Sequence, residues 1–112
     1  MFGHNGAQME HLVKKHQWDK IDKKLNGANV QTKIALAAAC GGSSDDTASS
    51  ILINLLRDHD EGVQLQAIKS LGAIGKGSCK THLQWLAENL AGEKKEIREA
   101  ISEAISQVSN RK

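Results

Sequence analysis

Two cysteines and a few histidines are the residues of this sequence that could carry metal, redox or nucleophilic chemistry. Cys79 and His82 stand three residues apart at the predicted start of a helix, a spacing that could supply half of a zinc site. A structural zinc ion takes four ligands, and no second pair is placed to complete the set. Cys40 lies far from Cys79 in sequence, and we expect both to be free thiols in an intracellular chain. The sequence therefore predicts no metal and no other cofactor.

The histidines offer no catalytic arrangement. His11 and His16 are five residues apart, about 140° around a helix, so their rings would not face each other. His59 lies between Asp58 and Asp60. We interpret this segment as a solvated corner between helices, which is simpler than a catalytic role. No Ser/His/Asp or Cys/His group can be assembled from the spacing, so we expect no catalytic residues and no enzymatic activity.

A glycine- and serine-rich segment, Gly41–Asp46, has the composition of a phosphate loop or an acidic metal site. A Walker phosphate loop needs a lysine after its last glycine, and this segment has none. Glycines suit the end of one helix, while Ser43 or Ser44 and the two carboxylates suit the start of the next. We interpret the segment as a connection between helices.

An internal repeat indicates the elements that position these residues. Val63 lies 33 residues after Val30 and 34 residues before Ile97, and apolar residues follow each at steps of four, on one face of a helix. The three stripes are Val30, Ile34 and Ala38; Val63, Ala67 and Leu71; and Ile97, Ile101 and Ile105. A leucine-bearing helix precedes each stripe. Because one helical hairpin cannot bury its apolar face alone, the sequence predicts three stacked helix pairs in an all-α fold.

The repeats set the expected domain organisation. Residues 1–8 are predicted to be a loose N-terminal arm and residues 9–109 a single domain, with repeats at about 9–41, 44–75 and 78–109. The first helix should start at about Met9 and break near residues 15–17. The polar outer face of the last helix suits the end of a short stack.

The middle repeat, LINLLRDHDEGVQLQAIKSLGAIG, resembles a HEAT repeat, especially the short kind of bilin-lyase-like bacterial proteins. The match lies in its leucine helix, its acidic corner with Asp60, its valine and alanine, and its LGxIG ending. Only the third repeat has the arginine usual after the valine-like position, Arg98, and the proline common in the family is absent throughout. The resemblance implies an α-solenoid, an armadillo-like α–α superhelix, that serves as a scaffold binding other proteins. It also leaves open a bilin-lyase-like accessory protein that holds a tetrapyrrole, or a regulatory adaptor of a larger enzyme complex.

Composition narrows the class of partner. There are 15 basic and 13 acidic residues, and the lysines of the first helix alternate with acids, which argues against nucleic acid. No apolar run approaches the roughly 20 residues of a membrane span. Residues 1–6 lack the basic and apolar regions of a signal peptide. We therefore expect a cytoplasmic protein, a monomer or weak homodimer, that binds another protein and no membrane.

In stacks that resemble this one, the second helix of each repeat lines the concave side, so its non-core positions should contact the partner. The candidate residues are Lys33, Leu36, Leu65, Gln66, Lys69, Glu99 and Glu103. Leu36 and Leu65 are apolar residues outside the predicted core stripes, and they either contact the partner or pack between adjacent second helices. The charge of the row runs from basic to acidic, which would orient an elongated partner.

Overall fold

The computed structural model describes residues 4–111, which form seven α-helices and no strand. The helices are α1 (His4–Lys14), α2 (Trp18–Leu25), α3 (Val30–Cys40), α4 (Asp46–Leu55), α5 (Glu61–Ile74), α6 (Lys80–Asn89) and α7 (Lys95–Ser109). A short 3-10 turn, Gly77–Cys79, leads into α6. The predicted all-α class is confirmed. None of the seven helices combines the length and the apolar character that a membrane crossing requires.

The helices form two layers. In the first layer α1, α3, α5 and α7 lie side by side, each packed against the next. In the second layer α4 packs on α3 and α5, α6 packs on α7, and α2 packs on α1. The molecule is 20 Å thick along its shortest axis, which corresponds to two layers of helices at about 10 Å each.

The N-terminal segment differs from its prediction. Residues 1–3 of the expected arm lie outside the described residues, but α1 begins at His4, so residues 4–8 are helical. The expected break is present between α1 and α2, where His16 adopts a φ of 56°. The break allows α1 to turn back beside α3, and Met9, Leu12 and Val13 are buried as a result. α1 therefore covers the end of the first layer, because an exposed apolar flank there would destabilise a stack.

The core confirms two of the three predicted stripes. In α5 Val63, Ala67 and Leu71 are fully buried, and in α7 Ile97 and Ile101 are buried while Ile105 is half-buried. In α3 the predicted stripe is wrong, since Val30 is 39% exposed and Ala38 is exposed. Leu36, Ala37 and Cys40 are buried instead. The reason is that α3 lies between α1 and α5, and so buries the face that meets those two neighbours.

Side-chain caps fix where three helices begin: α3 and α5 in the first layer and α4 in the second. Asn29 Oδ1 accepts a hydrogen bond from Thr32 N–H at 2.8 Å, and Asp60 Oδ1 accepts from Val63 N–H at 3.0 Å. At α4 the cap is Asp45, whose Oδ1 accepts from Thr47 N–H at 2.7 Å. The expectation that Ser43 or Ser44 caps this helix is therefore wrong, because the carboxylate of Asp45, one or two residues later in the chain, takes the role.

Candidate functional site

The exposed ridge of α5 is the centre of the partner-binding surface predicted from the sequence. On one flank of α5, Ser70 packs against Gly41 at the end of α3; on the other, Gly72 packs against Ala104 of α7. The buried stripe of α5 faces the second layer. Lys69 is exposed between the two flanks, so it points away from the core on the outward side of the first layer.

Four further predicted residues surround this ridge. Leu65 is half-buried and lines a cleft with Ile97 at the start of α7. Gln66 is half-buried, and its amide donates to Ser70 Oγ at 3.2 Å. Glu99 and Glu103 of α7 are exposed. We call the five residues that keep a solvent-facing position the inner surface: Leu65, Gln66, Lys69, Glu99 and Glu103.

Lys33 does not belong to the inner surface. Its Nζ donates to Asp58 Oδ2 at 2.7 Å, so it connects α3 to the corner between α4 and α5. Desolvation raises the pKa of Asp58, but hydrogen bonds from Lys33 and from the Asp60 backbone N–H outweigh it, and the net shift is downward. The Lys33 charge is thus used between neighbouring repeats, and the predicted gradient loses its basic end.

Leu36 also leaves the candidate surface. Its side chain is 1% exposed and lies within the core. Of the two interpretations offered by the sequence, packing between helices is the one that fits this burial. The error arises from the shifted face of α3, because the positions that are exposed on α5 and α7 are turned inward on α3.

A groove between α1 and α3 extends the first-layer surface. It has a volume of about 690 Å³ and an apolar floor that includes Val13, Ala38 and Ala39. Glu10, Lys14 and the corner residues Gly42–Asp45 line its rim. The sequence analysis missed this groove because it treated α1 and α2 as a single first helix with a break near residues 15–17. The clue in the sequence was the row of small residues in α3, which leaves room between neighbouring helices.

The residues that could carry chemistry are held apart. Cys40 and Cys79 are both buried and free, and burial raises the pKa of the Cys40 thiol to about 12. His82, three residues after Cys79, is exposed. Within residues 4–111, no three side chains of the histidine, cysteine, aspartate and glutamate types are grouped so that they could hold a metal ion.

His16 and Asp45 form the one close histidine–carboxylate contact of the described chain. Nδ1 of His16 lies 3.1 Å from Asp45 Oδ2, and the His16 ring meets Trp18 edge-on at 5.7 Å. The backbone N–H and then the side chain of Thr47 lower the pKa of Asp45, and His16 adds to this effect. The contact ties the α1–α2 break to the α3–α4 corner.

The corner between α6 and α7 is organised by Arg98. Its guanidinium donates to the backbone oxygens of Ala87 and Gly92 at 3.3 Å and of Leu90 at 3.5 Å. Lys94 forms an ion pair with Glu61 across the neighbouring corner. The arginine that matched the family pattern therefore closes a corner, and it is not available to a partner.

A comparison of the sequence with protein-family models identifies the family to which this architecture belongs. The family model for HEAT repeats matches residues 20–106, from within α2 to within α7. The chain belongs to the HEAT-repeat family. In this HEAT-repeat protein α1 lies outside the matched range, and the match does not extend to the bilin-lyase-like kind in particular. Searches of curated proteins and of solved structures give no match. HEAT repeats generally mediate protein–protein interactions.

Proposed function

We propose that this HEAT-repeat protein is a small, non-enzymatic scaffold module that binds a protein partner across its inner surface. The observation that supports this most directly is the contrast between used and unused charges. Lys33 and Lys94 form ion pairs with acids of a neighbouring repeat, and Arg98 closes the corner of its own repeat. Lys69 and Glu103 form no ion pair with any residue in the range 4–111, so their charges are available to a partner.

The size of the first layer is adequate for such a complex. The molecule extends 35 × 32 Å parallel to its two layers. A stable protein–protein interface buries about 800 Å² on each partner, which is less than the area of that face. A partner can therefore lie across several of the helices α1, α3, α5 and α7 at once.

Chemistry along the layer suggests how the partner is oriented. The groove between α1 and α3 offers an apolar floor for a side chain, and Leu65 offers a second apolar contact on α5. Lys69 then lies on α5 and Glu99 and Glu103 on α7, so the charge reverses between neighbouring helices. An acidic group of the partner should lie over α5 and a basic group over α7, since complementary charges fix orientation more than they add affinity.

The test begins by capturing a partner from cell lysate and ends with titrations on purified proteins. Lys69→Glu and Glu103→Lys should each weaken binding several-fold, or about 0.5–1.5 kcal/mol, with a larger loss at low salt. Asn54→Lys, at an exposed position of α4, is the control that changes charge on the second layer. If Asn54→Lys weakens binding while the first-layer variants do not, the inner surface is not the binding face.

A further inference from the structure

We propose that Arg57 and Trp85 form a second binding site, on the second layer of helices, for a carboxylate of an acidic peptide segment. Cζ of Arg57, just after α4, lies 4.3 Å from the centre of the Trp85 ring on α6. Trp85 is 38% exposed although it is among the largest side chains of the protein. This inference does not rest on the proposed function, because the two sites lie on opposite layers.

Trp85 is not needed to pack α6. Leu83 and Leu86 are buried and already attach this helix to the core. Their spacing of three residues places Trp85 beside the buried stripe and outside it. An exposed tryptophan without a packing role is a feature of binding surfaces, where tryptophan and arginine are the residue types that most often dominate affinity.

Arg57 keeps its charge available. It forms no ion pair within the described part of the chain, and its interaction partner is the face of an indole ring. A cation over an aromatic face is held in place without using its N–H groups. Those donors form a flat fork that matches both oxygens of a carboxylate.

The surroundings leave this positive charge uncompensated. Arg57 and Trp85 line a cavity of about 270 Å³ between the α4–α5 corner and the end of α6. Two carboxylates line the same cavity, but Asp58 is paired with Lys33 and Glu61 is paired with Lys94. Because each acid already has its own cation, Arg57 remains as the excess charge, and an acidic partner complements it.

The second feature of the ligand follows from the tryptophan. The exposed part of the Trp85 ring presents apolar area beside the guanidinium, so the site fits a carboxylate that is next to an apolar side chain. A peptide containing Glu-Leu-Glu carries both groups on neighbouring residues. A free metabolite would leave most of the exposed ring uncovered.

The experiment titrates a capped Glu-Leu-Glu peptide, framed by glycine and serine, into the full chain, by calorimetry and by tryptophan fluorescence. A Trp18→Phe background leaves Trp85 as the only fluorescent indole. We expect saturable binding, and a weakening of about tenfold or more in Arg57→Gln, as for the loss of one dominant contact. Arg57→Lys, which keeps the charge and loses the fork, should be intermediate. Melting curves check that each variant is folded.

The matched control is Lys23→Gln, which removes the same charge from an exposed position of α2 outside both proposed sites and should leave peptide affinity unchanged. Four results would overturn the inference. They are no saturable signal with the acidic peptide, equal binding of the Gln-Leu-Gln peptide, equal weakening by Lys23→Gln and Arg57→Gln, and displacement by inorganic phosphate that sodium acetate at equal ionic strength does not reproduce.

Discussion

Truncation of Leu36 tests whether this residue belongs to the core or to the partner-binding surface. Leu36→Ala removes a side chain that is 1% exposed, and we expect the free energy of unfolding to fall by about 2–4 kcal/mol from lost burial and the cavity left behind. Leu65→Ala is the matched change on the neighbouring helix. Because Leu65 is half-buried, its truncation should cost about 1 kcal/mol or less.

Urea unfolding followed by circular dichroism measures the difference. A loss of about 3 kcal/mol divided by a slope of about 1.5 kcal/mol per molar urea lowers the midpoint by about 2 M, whereas the Leu65 variant should shift by well under 1 M. Leu71→Ala, at a fully buried position of α5, provides the positive control. If Leu36→Ala shifts the midpoint no more than Leu65→Ala, Leu36 does not support the core, and it would return to the list of contact residues.

Three further predictions concern packing, acid stability and thiol reactivity. Gly72→Val should lower stability by about 1–3 kcal/mol in a thermal melt, because a Cβ at this position would lie 3.1 Å from the Ala104 Cα across the α5–α7 contact. Asp58→Asn should be less stable than wild type near neutral pH, and this difference in stability should close as pH falls below about 4. Because the folded-state pKa of Asp58 lies below its unfolded-state pKa, the carboxylate stabilises the fold above the unfolded-state pKa and loses this effect as pH falls through the folded-state pKa. A difference in stability that persisted at low pH would contradict this reasoning. Cys40 should resist a thiol reagent at about pH 8 until the chain unfolds, since its pKa is raised to about 12; rapid labelling of folded protein, with Cys79→Ser as background, would show that the thiol is accessible.

Periodicity predicted the parts of the fold that depend on one helix at a time. The stripes of α5 and α7 and the break near residues 15–17 follow from local spacing or local backbone preference. The buried face of α3 does not follow from spacing. It depends on which helices lie beside α3, and the sequence pattern placed only α5 there.

The sequence predicted the candidate site correctly only where a charged residue forms no ion pair with another part of the described chain. Lys69 and Glu103 occupy positions given by simple counting along the second helices. The same counting gave Lys33, at the position equivalent to Gln66, but a carboxylate 25 residues away, Asp58, forms an ion pair with it. Arg57 and Trp85 come from different repeats, so nothing in the local spacing of either residue indicates their contact.

The position of α1 has a consequence for how this short stack opens. In a linear array each unit is stabilised by its nearest neighbours, and a unit at the end has only one. α1 has α3 as its single neighbour in the first layer, aided by α2 and by the contact between His16 and Asp45. Its amide hydrogens should therefore exchange at a lower opening free energy than those of α5, which is held on both sides. A partner that filled the groove between α1 and α3 would supply the missing neighbour, and the slowed exchange of α1 would report its binding from the far end of the molecule.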